Sequence, residues 1–327
     1  MSERIVFMGT PEFASGCLKA LVEAKMNVVA VVTMPDKPIG RGHKMGMSDV
    51  KKTALELGLP LMQPQNLKDP AFLQELRSYE ADLQIVVAFR MLPEAVWAMP
   101  RLGTFNLHAS LLPKYRGAAP IQRAIWNGEK ESGVTTFLLD KDMDTGAILF
   151  QETIALDPEE TAGSLHDRLL SIGAPLVVKT AKALFEGSAQ AIPQPIPEIP
   201  VPEAPKIFKK DCILDFAKTA EELHRQVKAL SPYPAAIAYL HNAETGETTP
   251  IKVLVSRIST DSTKSYEQGS LISDGKHFMG MACADGKILL FEKIQLPGKK
   301  ALTIEDCLRG LRLENRNRLS FSKVMNN

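Results

Sequence analysis

The sequence predicts an α/β fold: a Rossmann-like domain on a mainly parallel sheet, followed by a small OB-like β-barrel domain. Three observations carry this. Residues 4–8 (RIVFM) and 27–33 (NVVAVVT) are apolar, β-branched runs flanking an amphipathic stretch at 12–25. That is the pattern of a right-handed strand–helix–strand unit. Between Ala191 and Pro205 stand six prolines, Pro193, Pro195, Pro197, Pro200, Pro202 and Pro205, in a run that can hold neither a helix nor a central strand. Beyond it, five short β-like runs separated by turn residues suggest a small barrel, an architecture often used for oligonucleotides.

The elements follow in order. Gly9-Thr10-Pro11 turns the chain into a first helix, with Phe13, Cys17, Leu18, Leu21 and Val22 facing inward. The glycines after the first strand are Gly9 and Gly16, which is not G-x-G-x-x-G, so a nicotinamide-binding domain is disfavoured. Residues 34–47 (MPDKPIGRGHKMGM) read as a loop, long for a compact α/β unit and lacking apolar anchors, hence expected to be mobile. Its Lys37, Arg41, His43 and Lys44 suit phosphate contacts, although taken alone they fit a solvated surface loop equally well.

Ser48 caps a helix at 49–57; a short strand at 60–63, a helix at 70–79, a central strand at 82–88 (DLQIVVA) and a helical turn at 93–99 come next. Residues 104–108 (TFNLH) form another strand and 118–126 another helix. Strands at 134–139 and 147–154 flank the acidic loop 140–146, and Ser164 opens a long amphipathic helix. The expected division is 1–190, a stiff proline-rich linker at 191–206, and 207–327. In the last part, Thr219-Ala220-Glu221-Glu222 is a capping box, the five strands fall at 236–240, 251–257, 269–272, 278–282 and 288–294, and a helix closes the fold at 303–312.

With 327 residues the chain has room for two domains, and 39 basic against 38 acidic residues give no global signal for nucleic acid. The distribution says more. From Ile207 onward there are 18 basic and 14 acidic residues, against 21 and 24 before it, a hint of an anionic partner for the last third. Cys17, Cys212, Cys283 and Cys307 lack metal-ligand or CxxC spacing and read as free thiols of a reducing compartment. The start is not a signal peptide, and no apolar run approaches the roughly 20 residues of a membrane span. A cytoplasmic protein with no membrane partner is expected.

Asn106 and His108 project from one face of the strand at 104–108. They lie where it runs out into a loop, and open α/β sheets bind ligands outside the carboxyl ends of their strands. Such a pair is as often structural as functional. Asp144, in a glycine-terminated loop, is placed to face an imidazole, although Asp140, Asp142 and Asp144 each read as turn formers when taken singly. Asp, His and Asn together are the parts for acyl transfer to an amine: the attacking nitrogen must lose a proton, and the tetrahedral intermediate needs a donor. The D-x-D spacing lacks the EF-hand glycine and distal Glu, so no metal is expected. Without a Gly-x-Ser-x-Gly elbow, a P-loop, HExxH or a His-paired cysteine, direct transfer is preferred to a covalent intermediate.

Asn106-x-His108-x-Ser110-Leu111-Leu112-Pro113, Arg116-Gly117-Ala118-Ala119-Pro120-Ile121-Gln122 and Asp144-Thr145-Gly146 together resemble the folate-dependent formyltransferases. Gly9-Thr10-Pro11-Glu12-Phe13, Pro35-Asp36-Lys37-Pro38-x-Gly40-Arg41-Gly42, Ser231-Pro232-Tyr233-Pro234-Ala235 and Pro297-Gly298-Lys299-Lys300 extend the resemblance along the whole chain. They narrow it to the branch that formylates the methionine carried by initiator tRNA. The resemblance implies 10-formyltetrahydrofolate as co-substrate, initiator methionyl-tRNA as partner, no metal, and a monomer. It assigns catalysis to Asn106, His108 and Asp144. Folate binding falls to Ser110, Leu111, Leu112 and Pro113, with Phe89, Arg90, Leu92 and the 139–144 loop lining the pterin pocket. It gives tRNA contacts to Lys37, Arg41, His43 and Lys44, with Arg41 the foremost reader, and a basic side to the C-terminal barrel. Phe89-Arg90 departs from the Tyr-Gly of some members. Two rival readings share parts of this pattern: a formyltransferase acting on a small amine, and a non-catalytic RNA-binding protein.

Overall fold

Valine- and isoleucine-rich runs without polar alternation need cover on both faces, and here they form the middle of a sheet. The computed structural model describes residues 3–39, 44–196, 199–259, 266–310 and 319–322. Its first strands are β1 (Ile5–Gly9), β2 (Val28–Val32), β3 (Lys37–Ile39), β4 (Lys44–Gly46), β5 (Leu61–Met62), β6 (Leu83–Val87), β7 (Thr104–His108), β8 (Glu131–Leu138) and β9 (Ile148–Ala155). Seven of them make one sheet in the order β5-β2-β1-β6-β7-β8-β9. The pairs from β5 through β7 are parallel, whereas β8 is antiparallel to both β7 and β9. The chain winds outward from β1 to β2 and β5, then resumes at β6 on the other side of β1. Ligands of such sheets bind beside that reversal, outside the carboxyl ends of the strands.

The helices are α1 (Glu12–Glu23), α2 (Asp49–Glu56), α3 (Pro70–Ser78), α4 (Glu94–Trp97), α5 (Pro120–Asn127) and α6 (Ala162–Phe185). Ser48 caps α2 by accepting from the Lys51 N–H, and Asp69 caps α3 by accepting from Ala71. Phe7, Phe105 and Phe137 are fully buried. Val6, Met8, Val32, Val86, Leu92 and Val96 form a cluster against which Phe89 and Leu139 pack.

Residues 34–47, expected as an unpaired loop, instead carry a two-stranded ribbon in which Lys37 pairs with Gly46, Pro38 with Met45 and Ile39 with Lys44. Backbone pairing supplies the order that the apolar pattern lacks. Residues 40–43 of the stretch lie outside the described residues.

The chain forms two compact units that are not contiguous in sequence. One comprises 1–120, 131–155 and 166–205; the other comprises 121–130, 156–165 and 206–327. In the second unit, Trp126 packs against a core of Leu223, Val227, Leu230, Val253 and Phe291. The described residues of the proline run carry no helix, and the run falls within the first unit, whose last segment ends at Pro205.

The second unit holds α7 (Ala220–Leu230), β10 (Ala236–Asn242), β11 (Thr248–Ile258), β12 (Leu271–Ser273), β13 (Met279–Ala282), β14 (Ile288–Gln295), β15 (Leu302–Thr303), α8 (Ile304–Gly310) and β16 (Leu319–Ser322). Its strands run β12-β13-β14-β11-β10-β16, with β15 on β14, and a bridge between Ser270 and Ser320 links the two ends into a nearly closed antiparallel barrel. Two strands beyond the expected five, β15 and β16, are too short and polar to stand out in the sequence.

The capping box of α7 is complete. Thr219 Oγ1 accepts from the Glu222 N–H at 3.2 Å, and the Glu222 carboxylate accepts from the Thr219 N–H at 2.9 Å and its hydroxyl at 2.7 Å. Those hydrogen bonds, the backbone one foremost, hold the Glu222 carboxyl below its ordinary value. The folded value is the lower one, so the stabilisation is present above the unfolded pKa of about 4.3 and is lost as pH falls through the folded value. Thr219→Ala is expected to cost about 1 kcal/mol at neutral pH. Thermal unfolding monitored at pH 7 and near pH 4 should show a smaller loss at the acidic end.

Candidate active site

The strand β7 delivers two polar side chains to one face because alternate residues of a strand share a face. Asn106 pairs in register with Val86 of β6 and Phe137 of β8. Its Oδ1 is buried and has no hydrogen-bond partner among the described residues. Buried polar atoms are nearly always satisfied, so this open acceptor, two residues from His108 on the same strand face, is available to a bound group. His108 is 6% exposed, and its Nε2 lies 2.8 Å from the Tyr115 carbonyl oxygen. A carbonyl only accepts, so Nε2 carries the hydrogen and Nδ1 is left as the basic nitrogen of the neutral ring. Nδ1 faces Asp144 Oδ2 at 3.8 Å.

Asp144 sits in the 139–147 connection, where its neighbours divide the work. Asp140 Oδ1 accepts from the Asp142 N–H and the Thr145 hydroxyl, so Asp140 forms the turn. Asp144 points inward instead, with Oδ2 accepting from the Gly117 N–H at 2.9 Å. Its φ of 56° and the 61° of Tyr115 are left-handed, a conformation uncommon outside glycine and often found at functional sites. Gly117 also needs to be glycine: its φ is 124°, and a Cβ would come within 2.6 Å of the Ala204 carbonyl oxygen.

The four residues expected to hold folate are braced from below. Ser110 donates from its hydroxyl to the Lys114 carbonyl, and Thr135 Oγ1 donates to the Ser110 carbonyl while accepting from the Leu112 N–H. Gln151 Nε2 donates to the Leu112 carbonyl. Leu112 is buried, while Leu111 and Pro113 are half-buried. Leu92 lies in the core cluster with Phe89 against it. The Arg90 guanidinium donates to the Pro64 and Gln65 carbonyls and stacks over the Phe89 ring. An open cleft of about 910 Å³ runs along Arg90, Met91 and Leu92, with Gln65, Asn66 and Leu67 opposite.

Lys37 is exposed at the start of the ribbon, and Lys44 begins its return strand. Arg41 and His43 lie outside the described residues. The base of the ribbon is pinned by Asp36, whose carboxylate takes Lys51 Nζ at 2.6 Å and Gln63 Nε2 at 3.0 Å. The Lys51 hydrogen bond, first among these, holds the Asp36 carboxyl below its ordinary value.

No thiol competes as nucleophile. Burial pushes the Cys17 and Cys283 thiols up to about 12, so they are not thiolates at neutral pH. Among the described residues, no group of three His, Cys, Asp or Glu side chains is placed to hold a metal, and no helix is long and apolar enough to cross a membrane. Sequence reasoning missed Tyr115, Thr135 and Gln194, whose roles are backbone acceptance, loop bracing and loop anchoring. Only Gln194 had a local signal, as a lone polar side chain between Pro193 and Pro195.

The chain belongs to the formyl transferase family: residues 3–180 match its formyl transferase domain and 206–312 its C-terminal domain. Within that family it is 49% identical over 312 residues to the methionyl-tRNA formyltransferase of Bacteroides fragilis, covering 95% of each chain. It is 47% identical over 308 residues to the methionyl-tRNA formyltransferase of Flavobacterium johnsoniae, covering 94% of this chain and 96% of that one. Among solved structures, a sugar 3N-formyl transferase determined with dTDP and 5-N-formyl-THF shares the fold, with a TM-score of 0.63 at 20% identity over 92% of this chain and 100% of that one. An N-formyltransferase from Helicobacter canadensis, in complex with folinic acid and dTDP-3-aminofucose, also scores 0.63, at 18% identity over 89% and 99% of the two chains.

Gly117→Ala is expected to destabilise the protein by about 1–3 kcal/mol, from left-handed strain and the approach to Ala204. It should also slow formyl transfer, because the Gly117 N–H that holds Asp144 shifts. Thermal unfolding and turnover of one preparation check both.

Proposed function

We propose that the chain transfers the formyl group of 10-formyltetrahydrofolate directly to the amino group of methionine on initiator methionyl-tRNA. The observation that carries the reading is the convergence at the end of β7. His108 has Nδ1 free toward Asp144 at 3.8 Å, beside an Asn106 amide whose buried oxygen is unpaired. The methionyl-tRNA formyltransferases matched over nearly the whole chain support the choice of amine.

The methionine nitrogen attacks the formyl carbon, forming the C–N bond and turning the carbonyl oxygen into an oxyanion. The Asn106 amide N–H donates to that oxyanion, and His108 adds a second donor whenever Nδ1 has taken up a hydrogen. The unpaired Asn106 Oδ1 accepts a hydrogen from the incoming amine and aligns its lone pair. Asp144, facing His108 Nδ1 at 3.8 Å, takes the proton released by the nitrogen by way of a water. Collapse of the intermediate breaks the bond to N10 of the folate, which recovers the proton and leaves as tetrahydrofolate.

Ser110, Leu111, Leu112 and Pro113 cradle the folate, and Phe89, Arg90 and Leu92 receive its pterin, Arg90 and Leu92 from the wall of the cleft. Lys37 and Lys44 of the ribbon, together with Arg41 and His43, meet the tRNA acceptor end, and the basic C-terminal unit meets its backbone. In this scheme the chain acts as a monomer. Charged tRNA and folate are met together in the cytoplasm.

Asn106→Ala and Asp144→Ala are each expected to lower turnover on the order of a hundredfold or more. Near-wild-type rates for both would sink the site assignment. A formylation assay of charged initiator tRNA against small amines, including an amino sugar nucleotide, should show transfer to the tRNA alone. Arg41→Ala should raise KM for tRNA, leave KM for folate unchanged, and reduce the salt dependence of tRNA binding by a slope of about 1, as loss of one phosphate contact does.

A further inference from the structure

The strand β8 runs antiparallel to β7, so Leu138 pairs with Phe105, near the amino end of β7, while Thr135 pairs with His108 at the other. The connection after β8 therefore leaves from the wrong end of the strand: the Leu139 N–H is bonded to the Thr104 carbonyl. To meet His108, residues 140–144 must double back on the order of 10 Å, since each strand residue rises about 3.3 Å. Lys141, Asp142 and Met143 on that path are exposed. No apolar burial holds these three residues in place.

One side chain meets the connection where it arrives. Gln194 Nε2 donates to the Asp144 carbonyl at 2.8 Å and to the Gly146 carbonyl at 2.9 Å. Gln194 Oε1 accepts from Arg116 Nη2 at 2.6 Å and Nε at 3.2 Å. Both amide hydrogens and both oxygen lone pairs are thus used, which fixes the orientation of the amide. A flipped amide would set its oxygen against two carbonyls and its NH₂ against a guanidinium.

The contacts close a ring. Arg116 leads covalently to Gly117, whose N–H holds the Asp144 carboxylate, and Gln194 holds the carbonyl of that same Asp144. Gln194 is itself held, because its segment is bonded to the first unit on both sides. Ile192 exchanges two hydrogen bonds of 2.8 Å with Ile148. The Ala204 N–H donates to the Arg116 carbonyl at 2.8 Å, and the Pro202 carbonyl accepts from the Tyr115 N–H at 2.6 Å.

We infer that Gln194 is a positioning residue for the transfer reaction: it sets the Asp144 carboxylate against His108 by tying the 139–147 connection to the Arg116-Gly117 turn. The inference rests on the catalytic reading of Asp144. A misplacement of about 1 Å in a reacting group can cost on the order of a hundredfold in rate, so the effect belongs in kcat.

The test uses the full chain with charged initiator tRNA and 10-formyltetrahydrofolate. Gln194→Met keeps the length of the side chain and removes all four hydrogen bonds. Gln194→Glu keeps the acceptor for Arg116 and removes the two donors, and it provides a second variant should the first fold poorly. Both are expected to lower kcat roughly 10- to 100-fold, with KM for either substrate within about threefold and thermal unfolding little changed. The discriminating measurement is a double-mutant cycle. In an Asp144→Ala background, Gln194→Met should cost less than about twofold, because the group it positions is gone. A wild-type kcat in both Gln194 variants overturns the inference, and so does an equal loss with and without Asp144. If Asp144→Ala alone turns over at the wild-type rate, the catalytic reading fails and takes this inference with it.

Discussion

The hydrogen bond from His108 Nε2 to the Tyr115 carbonyl is the contact on which the site depends. It decides which ring nitrogen carries the fixed hydrogen, and so which nitrogen is left to take part in chemistry. It also demands that the chain fold back within seven residues and that Tyr115 take a left-handed φ of 61°. That conformation is costly for a residue with a Cβ and persists only where its surroundings over-determine it. Here they do: Thr135 and Gln151, on the antiparallel strands β8 and β9, bind the backbone of Ser110 and Leu112 from one side. The Pro202 carbonyl accepts the Tyr115 N–H from the other.

The reversal of strand direction after β7 serves that requirement. A fully parallel sheet would leave β7 followed by another crossover, with no adjacent polar edge to grip the loop. Running β8 antiparallel puts the Thr135 hydroxyl level with His108, where it satisfies two backbone groups of the loop at once. The same choice sends the next connection away from the site, and the proline run answers this by supplying Gln194. One topological decision thus explains both the bracing threonine and the anchoring glutamine.

Much of this was legible in the sequence, and the limits follow from what a side-chain pattern encodes. The strands RIVFM, NVVAVVT and DLQIVVA announce themselves by burial on both faces, and Asn106 and His108 share a face through the period of two alone. The pairing of Lys37 to Ile39 with Lys44 to Gly46 left no trace, because backbone hydrogen bonds between polar, Gly- and Pro-containing segments impose no apolar alternation. Leu319 to Ser322 was hidden for a related reason: four residues with one buried phenylalanine are too few for a period to show. Asp144 was identifiable as a candidate through its chemistry, yet nothing local distinguished it from Asp140 and Asp142. The distinction is tertiary, made by the Gly117 N–H and by Gln194, some 50 residues along the chain.

The proline run shows how an extended segment can do more than span a distance. Six prolines do dictate an extended segment, and an extended segment without secondary structure of its own is ordinarily a spacer. But an extended chain also presents its remaining N–H and carbonyl groups unpaired, ready to be used as a strand edge is used. In this chain Ile192, Pro202 and Ala204 are used that way against Ile148, Tyr115, Arg116 and Ala119. Prolines elsewhere in the run remove donors that would otherwise need partners. Residues of the expected stiff linker are thus bonded around the site, and only Pro205 separates the bridging Ala204 from Lys206, where the second unit resumes. A stiff segment fits that position better than a flexible one, because each residue fixed by its proline φ has less conformational entropy to lose when the strap closes over the turn.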